Sequence, residues 1–386
     1  MSDSKRILHI GTDEKFLNAV EFTYEKAFPN KNLIYITLRN KQEPLKHIKA
    51  SDNFVFGDFT VQSKDEIVGM LDAFEYIIFH GLDKFKSDIF FSSNNKEKFV
   101  LSIWGAEIYN NPYVLGIDLY GDKTIKRFNN RYIFELKKVL RPLYYRLIHK
   151  SLDNFNRQLK VIKEISLIAG QPPEDFFFLQ ERNLVHNEAK HFFYSYYPFE
   201  YIFKNNEELV ITGNNILLGN SASSSNNHLE MIEILSNFNL GNSKIFTPLS
   251  YGDKKYAKEI TKIGRQKLKN NFVPLMDYMT LSNYNKTVSS CSIVIMNHYR
   301  QQAVGNIVAM LLMGAKIYLD DRNTVYHYLK RLGCCVFSIS RDLNVENENV
   351  LKSLTEAEKK NNKMIIRKEV SVDNLVTSLI NNLHVS

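Results

Sequence analysis

Short apolar runs alternate with amphipathic stretches along almost the whole chain, and they do so twice. In the first half the runs are Ile7–Ile10, Leu33–Thr37, Phe54–Phe56, Tyr76–Phe79, Phe99–Ile103 and Ile165–Ala169, with helical patterns between most of them, such as Glu14 to Phe28 and Asp65 to Phe74. In the second half they are Ile216–Leu218, Lys244–Thr247, Phe272–Pro274, Ser292–Met296, Lys316–Leu319 and Cys335–Phe337. Helices are expected there at Asn227–Phe238, Lys255–Lys269, Leu281–Ser290, Ala303–Met313 and Thr324–Leu332. Apolar runs without in–out alternation, separated by helices, are strands of parallel sheets covered on both faces. The fold class is therefore α/β, with doubly wound sheets. At 386 residues the chain is long for one core, so two domains are expected, 1–205 and 206–370. The looser stretch from His191 to Glu208 reads as their connection. A closing helix is expected over 371–386, where Leu375, Leu379 and Leu383 share a face.

Parallel sheets bind ligands beyond the carboxyl ends of their strands, so the residues just after each run carry the functional reading. The stretch Asn215 to Phe238 reads as strand, small polar turn, helix: Met231, Ile234, Leu235 and Phe238 fall at helical spacing after Gly219 and the loop Ser221 to Asn227. Such a turn leaves backbone N–H groups and the positive end of a helix dipole facing a phosphate or diphosphate. Asn226 and Asn227 also suit a plain helix cap, with His228 in the first turn. A second polar cluster, Asn297 to Asn306, follows the strongest strand of the second half. Arg300 can neutralise phosphate with a bidentate fork. Gln301 and Gln302 can read hydroxyls or amides, and Gly305 lets backbone approach a ligand. The next strand ends in Asp320, Asp321 and Arg322. In a doubly wound sheet these clusters line one crevice, which favours a nucleotide-diphosphate site. Tyr251, in the strand-end loop Thr247–Gly252, or Tyr278 could stack on a base.

In the first half, His9 and Gly11, His80 and Gly81, and Trp104, Gly105 and Glu107 occupy strand ends. An indole beside a carboxylate suits a sugar, the ring on a C–H face and Glu107 accepting from hydroxyls. A half-buried Trp with a solvated Glu is the plainer alternative, as a satisfied structural histidine is for His9 and His80.

Net charge is +8 with a pI of about 9.0, so an anionic partner fits, although richness in Lys, Asn, Ile, Phe and Tyr together also reads as compositional bias. The charge concentrates in Lys123 to Lys150, where Lys and Arg interleave with Phe, Tyr, Leu and Ile and Pro142 interrupts the pattern. Such a segment can lie in the headgroup layer of an anionic membrane, contact nucleic-acid phosphates, or be a solvated helical face. Cys291, Cys334 and Cys335 lack metal spacing and suit a reducing cytoplasm. MSDSKR runs straight into ILHI, with no signal peptide, and no apolar run reaches the ~20 residues of a membrane span. With no D-x-D pair, HExxH or G-x-S-x-G, neither a required metal nor a cofactor is expected.

Taken in order, the HG of Phe79–Gly81, WGAEIY at Trp104–Tyr109, LLGNSASSSNNH at Leu217–His228, PLSYG at Pro248–Gly252 and RQQAVGN at Arg300–Asn306 resemble the bacterial TDP-N-acetylfucosamine:lipid II N-acetylfucosaminyltransferase family of enterobacterial common antigen synthesis. The likeness spans roughly Ile7 to Asp342, and no match is placed in the tail beyond. It implies a GT-B glycosyltransferase, two Rossmann-like domains facing across a cleft, the N-terminal one for the acceptor and the C-terminal one for the sugar nucleotide. It implies a cytoplasmic enzyme, peripheral on the inner membrane, that transfers 4-acetamido-4,6-dideoxygalactose from its TDP form to an undecaprenyl-diphosphate-linked saccharide with retention. Carried over, Gly219, Asn220, Ser221, Asn227, His228, Arg300, Gln301, Gln302 and Asn306 would hold the diphosphate, and His80, Trp104 and Glu107 would lie on the acceptor side, beside Gly105. Glu107 or Asp320 would stabilise an oxocarbenium-like centre, and the acceptor hydroxyl would lose its proton to the donor phosphate or to a nearby side chain, with His9 and His80 the candidates. A nucleotide-sugar epimerase or hydrolase, and a non-catalytic nucleotide-binding module docked to membranes, are the alternatives. Nucleic acid is not expected as a partner.

Overall fold

Apolar residues on both faces of a strand can be buried only between two helical layers, and each half of the chain builds that sandwich around a parallel sheet. The computed structural model describes residues 5–40, 42–203, 210–347 and 349–385. The first sheet contains β1 (Ile7–Thr12), β2 (Asn32–Leu38), β3 (Phe54–Asp58), β4 (Tyr76–His80), β5 (Phe99–Ser102), β6 (Leu167–Gly170) and β7 (Lys190–Phe193). The second contains β8 (Asn215–Leu218), β9 (Ile245–Pro248), β10 (Phe272–Leu275), β11 (Cys291–Met296), β12 (Lys316–Leu319) and β13 (Val336–Ser338). Strand orders are β3-β2-β1-β4-β5-β6-β7 and β10-β9-β8-β11-β12-β13. In each sheet the order reverses beside the first strand, between β1 and β4 and between β8 and β11. Those are the switch points where ligands bind open α/β sheets.

Two compact units result: Met1–Val114, Val139–Lys204 and Glu369–Ser386 form one, and Leu115–Lys138 with Asn205–Lys368 the other. The expected domain boundary near 205 lies outside the described residues. Residues 115–138 group with the second unit rather than the first. The closing helix, Val372–Asn382, belongs to the first: Leu379 and Leu383 enter the core of Leu17, Val20, Tyr24, Ile34 and Ile78, and Ser378 Oγ donates to the Phe193 carbonyl at 2.7 Å. In the second unit Met231, Ile232 and Leu235 pack on Ile216, Leu218, Ile293 and Ile295, with Ile234 and Phe238 partly buried beside them, as the helical stripe predicts.

Three features differ from expectation. The stretch read as a connection contains β7 and the helix Phe199–Ile202; a four-residue edge strand paired only with β6 carries too little period to stand out. Glu356–Glu369 is a helix that the sequence pattern did not reveal. Pro142 does not end its helix, which runs unbroken over Arg131–Ile148. None of that helix's residues is buried, so the backbone carbonyl that proline leaves without a donor can turn to water.

Candidate active site

The second unit places its two polar loops side by side. β8 pairs in parallel with β11, so the residues after Leu218 and after Met296 leave the sheet at the same edge. Gly219 turns with φ +69°, and its N–H donates to the Ile295 carbonyl at 2.9 Å. Side chains then tie the loops together. Asn220 Oδ1 accepts from Gln302 Nε2 at 3.0 Å and from His298 Nε2 at 3.1 Å, while Gln302 Oε1 accepts from Ser225 Oγ at 2.8 Å. His298 Nε2 also reaches Asn226 Oδ1, at 2.9 Å. Facing two carbonyl oxygens, that nitrogen carries the proton and the imidazole is neutral. Burial holds His298 well below the usual histidine range, and Arg300 and His228 push the same way. His298 was not singled out in the sequence, though its place directly after a strand end was the available signal.

Helix N-termini complete the crevice. Elsewhere in the unit, side chains cap the helices Lys254–Leu268, Leu281–Ser289, Thr324–Arg331 and Ile339–Asp342. The helices after β8 and β11, His228–Leu235 and Val304–Met313, have no side-chain cap, and each is entered through a left-handed residue, Asn227 (φ +50°) and Ala303 (φ +60°). Uncapped first-turn N–H groups at a switch point are free to receive an anion. A non-glycine residue held in that conformation costs about 1–3 kcal/mol and tends to mark function. Ala303, not Gly305, makes the sharp turn here; Gly305 and Asn306 are half-buried in the helix's first turn.

The expected donor residues divide into two groups. Asn220, Arg300, Gln302, Gly305 and Asn306 are half-buried, and Ser221 and Gln301 are buried at the loop bases. Asn220 Nδ2 has no partner among the described residues. Tyr251 is 82% exposed, on a loop pinned to the crevice where its carbonyl accepts from Ala222 N–H at 2.7 Å. Asn227 and His228, by contrast, are completely buried. Asn227 Oδ1 accepts from Gly121 N–H at 2.9 Å and its Nδ2 donates to Asn297 O at 3.1 Å. His228 Nδ1 meets Tyr256 Oη at 3.0 Å, and its ring packs under Gly219. Both brace the loop from below instead of facing a ligand. Asp320 is likewise spoken for: Arg322 grips it with bonds of 2.7 and 2.8 Å and stacks on Tyr299. A carboxylate neutralised this way is poorly suited to stabilising a cationic centre.

The first unit gathers its own cluster at the carboxyl edge. Gly81 (φ +64°) carries the Trp104 ring, which a Cβ there would meet at 2.8 Å. Trp104 is half-buried and packs on Phe16 and Tyr196. Gly105 (φ +89°) opens the helix Ala106–Tyr109, and Glu107 Oε1 accepts from Trp104 N–H at 2.7 Å. Burial raises the Glu107 carboxyl above its usual range, against the backbone N–H bonds that lower it. Lys86, missed in the sequence, is buried beside it, its Nζ 2.8 Å from Asp83 Oδ2 and 5.8 Å from the Trp104 ring centre. Its signal was the spacing of Asp83 and Lys86 on one helical turn.

His9 and His80 correct the sequence reading. Both are fully buried within the sheet. His9 Nε2 lies 3.2 Å from Asn32 Oδ1, His9 Nδ1 lies 3.0 Å from His80 Nε2, and His80 Nδ1 lies 2.9 Å from Tyr196 Oη. Burial lowers His9 to about 4 and His80 well below the usual histidine value. With every ring nitrogen engaged, neither is placed to take a proton from a bound hydroxyl.

Two doubly wound units, one with uncapped helix N-termini at its switch point, define the class of fold, GT-B. The model of the 4-alpha-L-fucosyltransferase family, glycosyl transferase group 56, matches residues 169–364, just over half the chain, and the protein belongs to that family. No curated protein matches it in sequence. Among solved structures it is similar to Anabaena Alr3699/HepE, crystallised with UDP and glucose (TM-score 0.59, 11% identity, 98% of each chain covered). It is similar also to a glycosyltransferase from Rickettsia africae (TM-score 0.56, 11% identity, 98% of this chain and 97% of that one). A third is an α,α-trehalose-phosphate synthase from Burkholderia xenovorans (TM-score 0.60, 8% identity, 97% and 99%). These likenesses carry the fold. Family membership sets aside the epimerase, hydrolase and non-catalytic readings.

Proposed function

We propose that the enzyme moves a deoxyamino sugar, of the 4-acetamido-4,6-dideoxygalactose type, from a nucleoside diphosphate to a lipid-linked saccharide in bacterial surface polysaccharide synthesis. One observation carries the donor half: Gln302 and His298 join the β8 and β11 loops directly beside two uncapped helix N-termini. The UDP and UDP-glucose in the HepE complexes support a nucleotide-sugar donor. The diphosphate lies against the 219–226 turn and the start of helix Val304–Met313, with Arg300 and the Asn220 amide reaching it and Tyr251 available to the base. As the glycosidic bond breaks, charge builds on the leaving phosphate. Preorganised donors are worth about 2.7–4 kcal/mol each at such a point, so no metal ion is required. The reaction retains anomeric configuration, and the acceptor hydroxyl gives its proton to the donor phosphate. Trp104 and Glu107 form the acceptor edge.

The lipid partner rests on helix Arg131–Ile148. Tyr132, Leu136, Val139, Leu140, Leu143, Tyr144 and Leu147 make a solvent-exposed apolar stripe, flanked by Lys137, Lys138, Arg141 and Arg146. A basic helix with a free apolar face suits an anionic membrane surface. Among the described residues no helix is long and apolar enough to cross one; the docking proposed here is peripheral, at the cytoplasmic face.

The test is a panel of nucleotide sugars with lipid-linked acceptors, following nucleotide release and product mass. Arg300→Ala should fold and lose at least about a hundredfold in transfer; full activity would remove the donor site. Glu107→Gln keeps an oxygen for Trp104 N–H, so any loss of rate reports chemistry rather than folding. Activity abolished by EDTA would refute the metal-free reading.

A further inference from the structure

Away from the crevice, the second unit has a cavity of about 350 Å³ between the helices Asp122–Phe128, His228–Leu235 and Lys254–Leu268. Leu229 and Ile263 contribute its apolar lining, Lys123, Lys126, Arg127 and Lys267 its cations, and Glu233 its one carboxylate. Two of these are spent internally: Lys267 pairs with Glu233 and Arg127 with Glu259, each at 2.5 Å. Lys123 and Lys126 form no ion pair among the described residues, so the cavity keeps an excess of positive charge. Neither lysine is used by the chemistry proposed above. We propose that this cavity binds the phosphate headgroup of an anionic phospholipid, with the first carbons of its glycerol-ester portion on Leu229 and Ile263.

Three observations favour a lipid over a free anion or a polynucleotide. The cavity has an apolar lining as well as cations, which a small inorganic anion does not need. It offers no aromatic platform on which a base would stack. And the helix carrying Lys123, Lys126 and Arg127 ends at Phe128, just before Arg131 opens the exposed amphipathic helix, so headgroup cations and apolar stripe follow one another along the chain. The site thus rests on the membrane reading and deepens it. The stripe supplies burial in any bilayer, and the cavity supplies the preference for negative headgroups.

The experiment uses the full chain. Submicellar dihexanoylphosphatidylglycerol is titrated while the methyl resonances of Leu229 and Ile263 are followed, with inorganic phosphate as the parallel probe. The lipid should shift both methyls, and Lys123→Ala with Lys126→Ala should weaken its affinity about tenfold or more. Silent methyls, or unchanged affinity in the double variant, would overturn the site. Phosphate binding as tightly as the lipid would make it a small-anion site and also overturn it. Vesicle co-sedimentation separates this from docking itself. The double variant should lose the gain that phosphatidylglycerol gives over phosphatidylcholine. Leu136→Ser with Leu143→Ser and Leu147→Ser should lose binding to both vesicles and keep the methyl shifts; unchanged vesicle binding there would defeat the docking reading and leave the cavity to the methyl titration.

Discussion

Gly219 tolerates no side chain. Its φ is +69°, and a Cβ would stand 2.4 Å from His228 Nε2 and 2.6 Å from Asn226 Oδ1, both held in place by their own partners. Gly219→Ala should therefore cost about 1–3 kcal/mol of stability and weaken donor binding with it, read by denaturant titration and nucleotide affinity. Neighbouring asparagines should separate the two effects. Asn227→Ala strips partners from the Gly121 N–H and the Asn297 carbonyl, and should cost about 1–3 kcal/mol in the denaturation midpoint. Asn220→Ala takes an acceptor from the half-buried Gln302 amide, while His298 Nε2 keeps Asn226 Oδ1, so it should lower the midpoint less than Asn227→Ala and should raise the KM for the donor. The residue types of this loop were legible because small polar residues after a strand are what an anion turn needs. Which asparagine faces out and which faces in was not legible, since the same amide serves a ligand or a buried carbonyl equally well.

At the scale of elements, helix Arg131–Ile148 is the exception to the rule that helices bury their apolar face. Tyr132 is 87% exposed and Leu147 74%. Leu136→Ser with Leu143→Ser and Leu147→Ser should leave the thermal midpoint within a degree or so, because exposed positions contribute little to folding, while abolishing co-sedimentation with liposomes. The basic and aromatic alternation marked this segment in the sequence. Its being left unburied was decided by the surrounding packing, which only coordinates reveal. Edge strand β7 and helix Glu356–Glu369 escaped notice for the opposite reason: KHFF is short, and a helix with so many Lys, Asn and Glu residues has a weak apolar period.

The whole molecule keeps several imidazoles neutral in its interior. Burial lowers His9 to about 4 and His228 to about 3 from an ordinary value of 6.5, and holds His80 and His298 well below it. Above pH 6.5 neither folded nor unfolded chain protonates these rings, so their stabilisation is fully present. Between pH 6.5 and about 4 the unfolded chain takes up protons that the folded one refuses. Stability should fall with pH across that window, by up to ~1.4 kcal/mol per pH unit for each such histidine. Urea midpoints at pH 7.5, 6 and 5 should decline progressively; a flat profile would mean the rings are not held neutral. Replacing His9 by Gln should flatten part of the slope.

From the chain alone came the class of fold, every strand but β7 in its order along the sequence, and the two loops that leave the second sheet at one edge, because strand–helix alternation and right-handed crossovers leave few other arrangements. Local pattern carries that much, since backbone hydrogen bonding and amphipathic burial are short-range demands. Tertiary structure alone decided that residues 115–138 group with the second unit and the last helix returns to the first. It also decided that His9, His80, Asn227 and His228 are interior struts, and that Asp320 is already paired. Those outcomes depend on what packs against a side chain from distant parts of the chain, and a residue's own identity holds no record of its future neighbours.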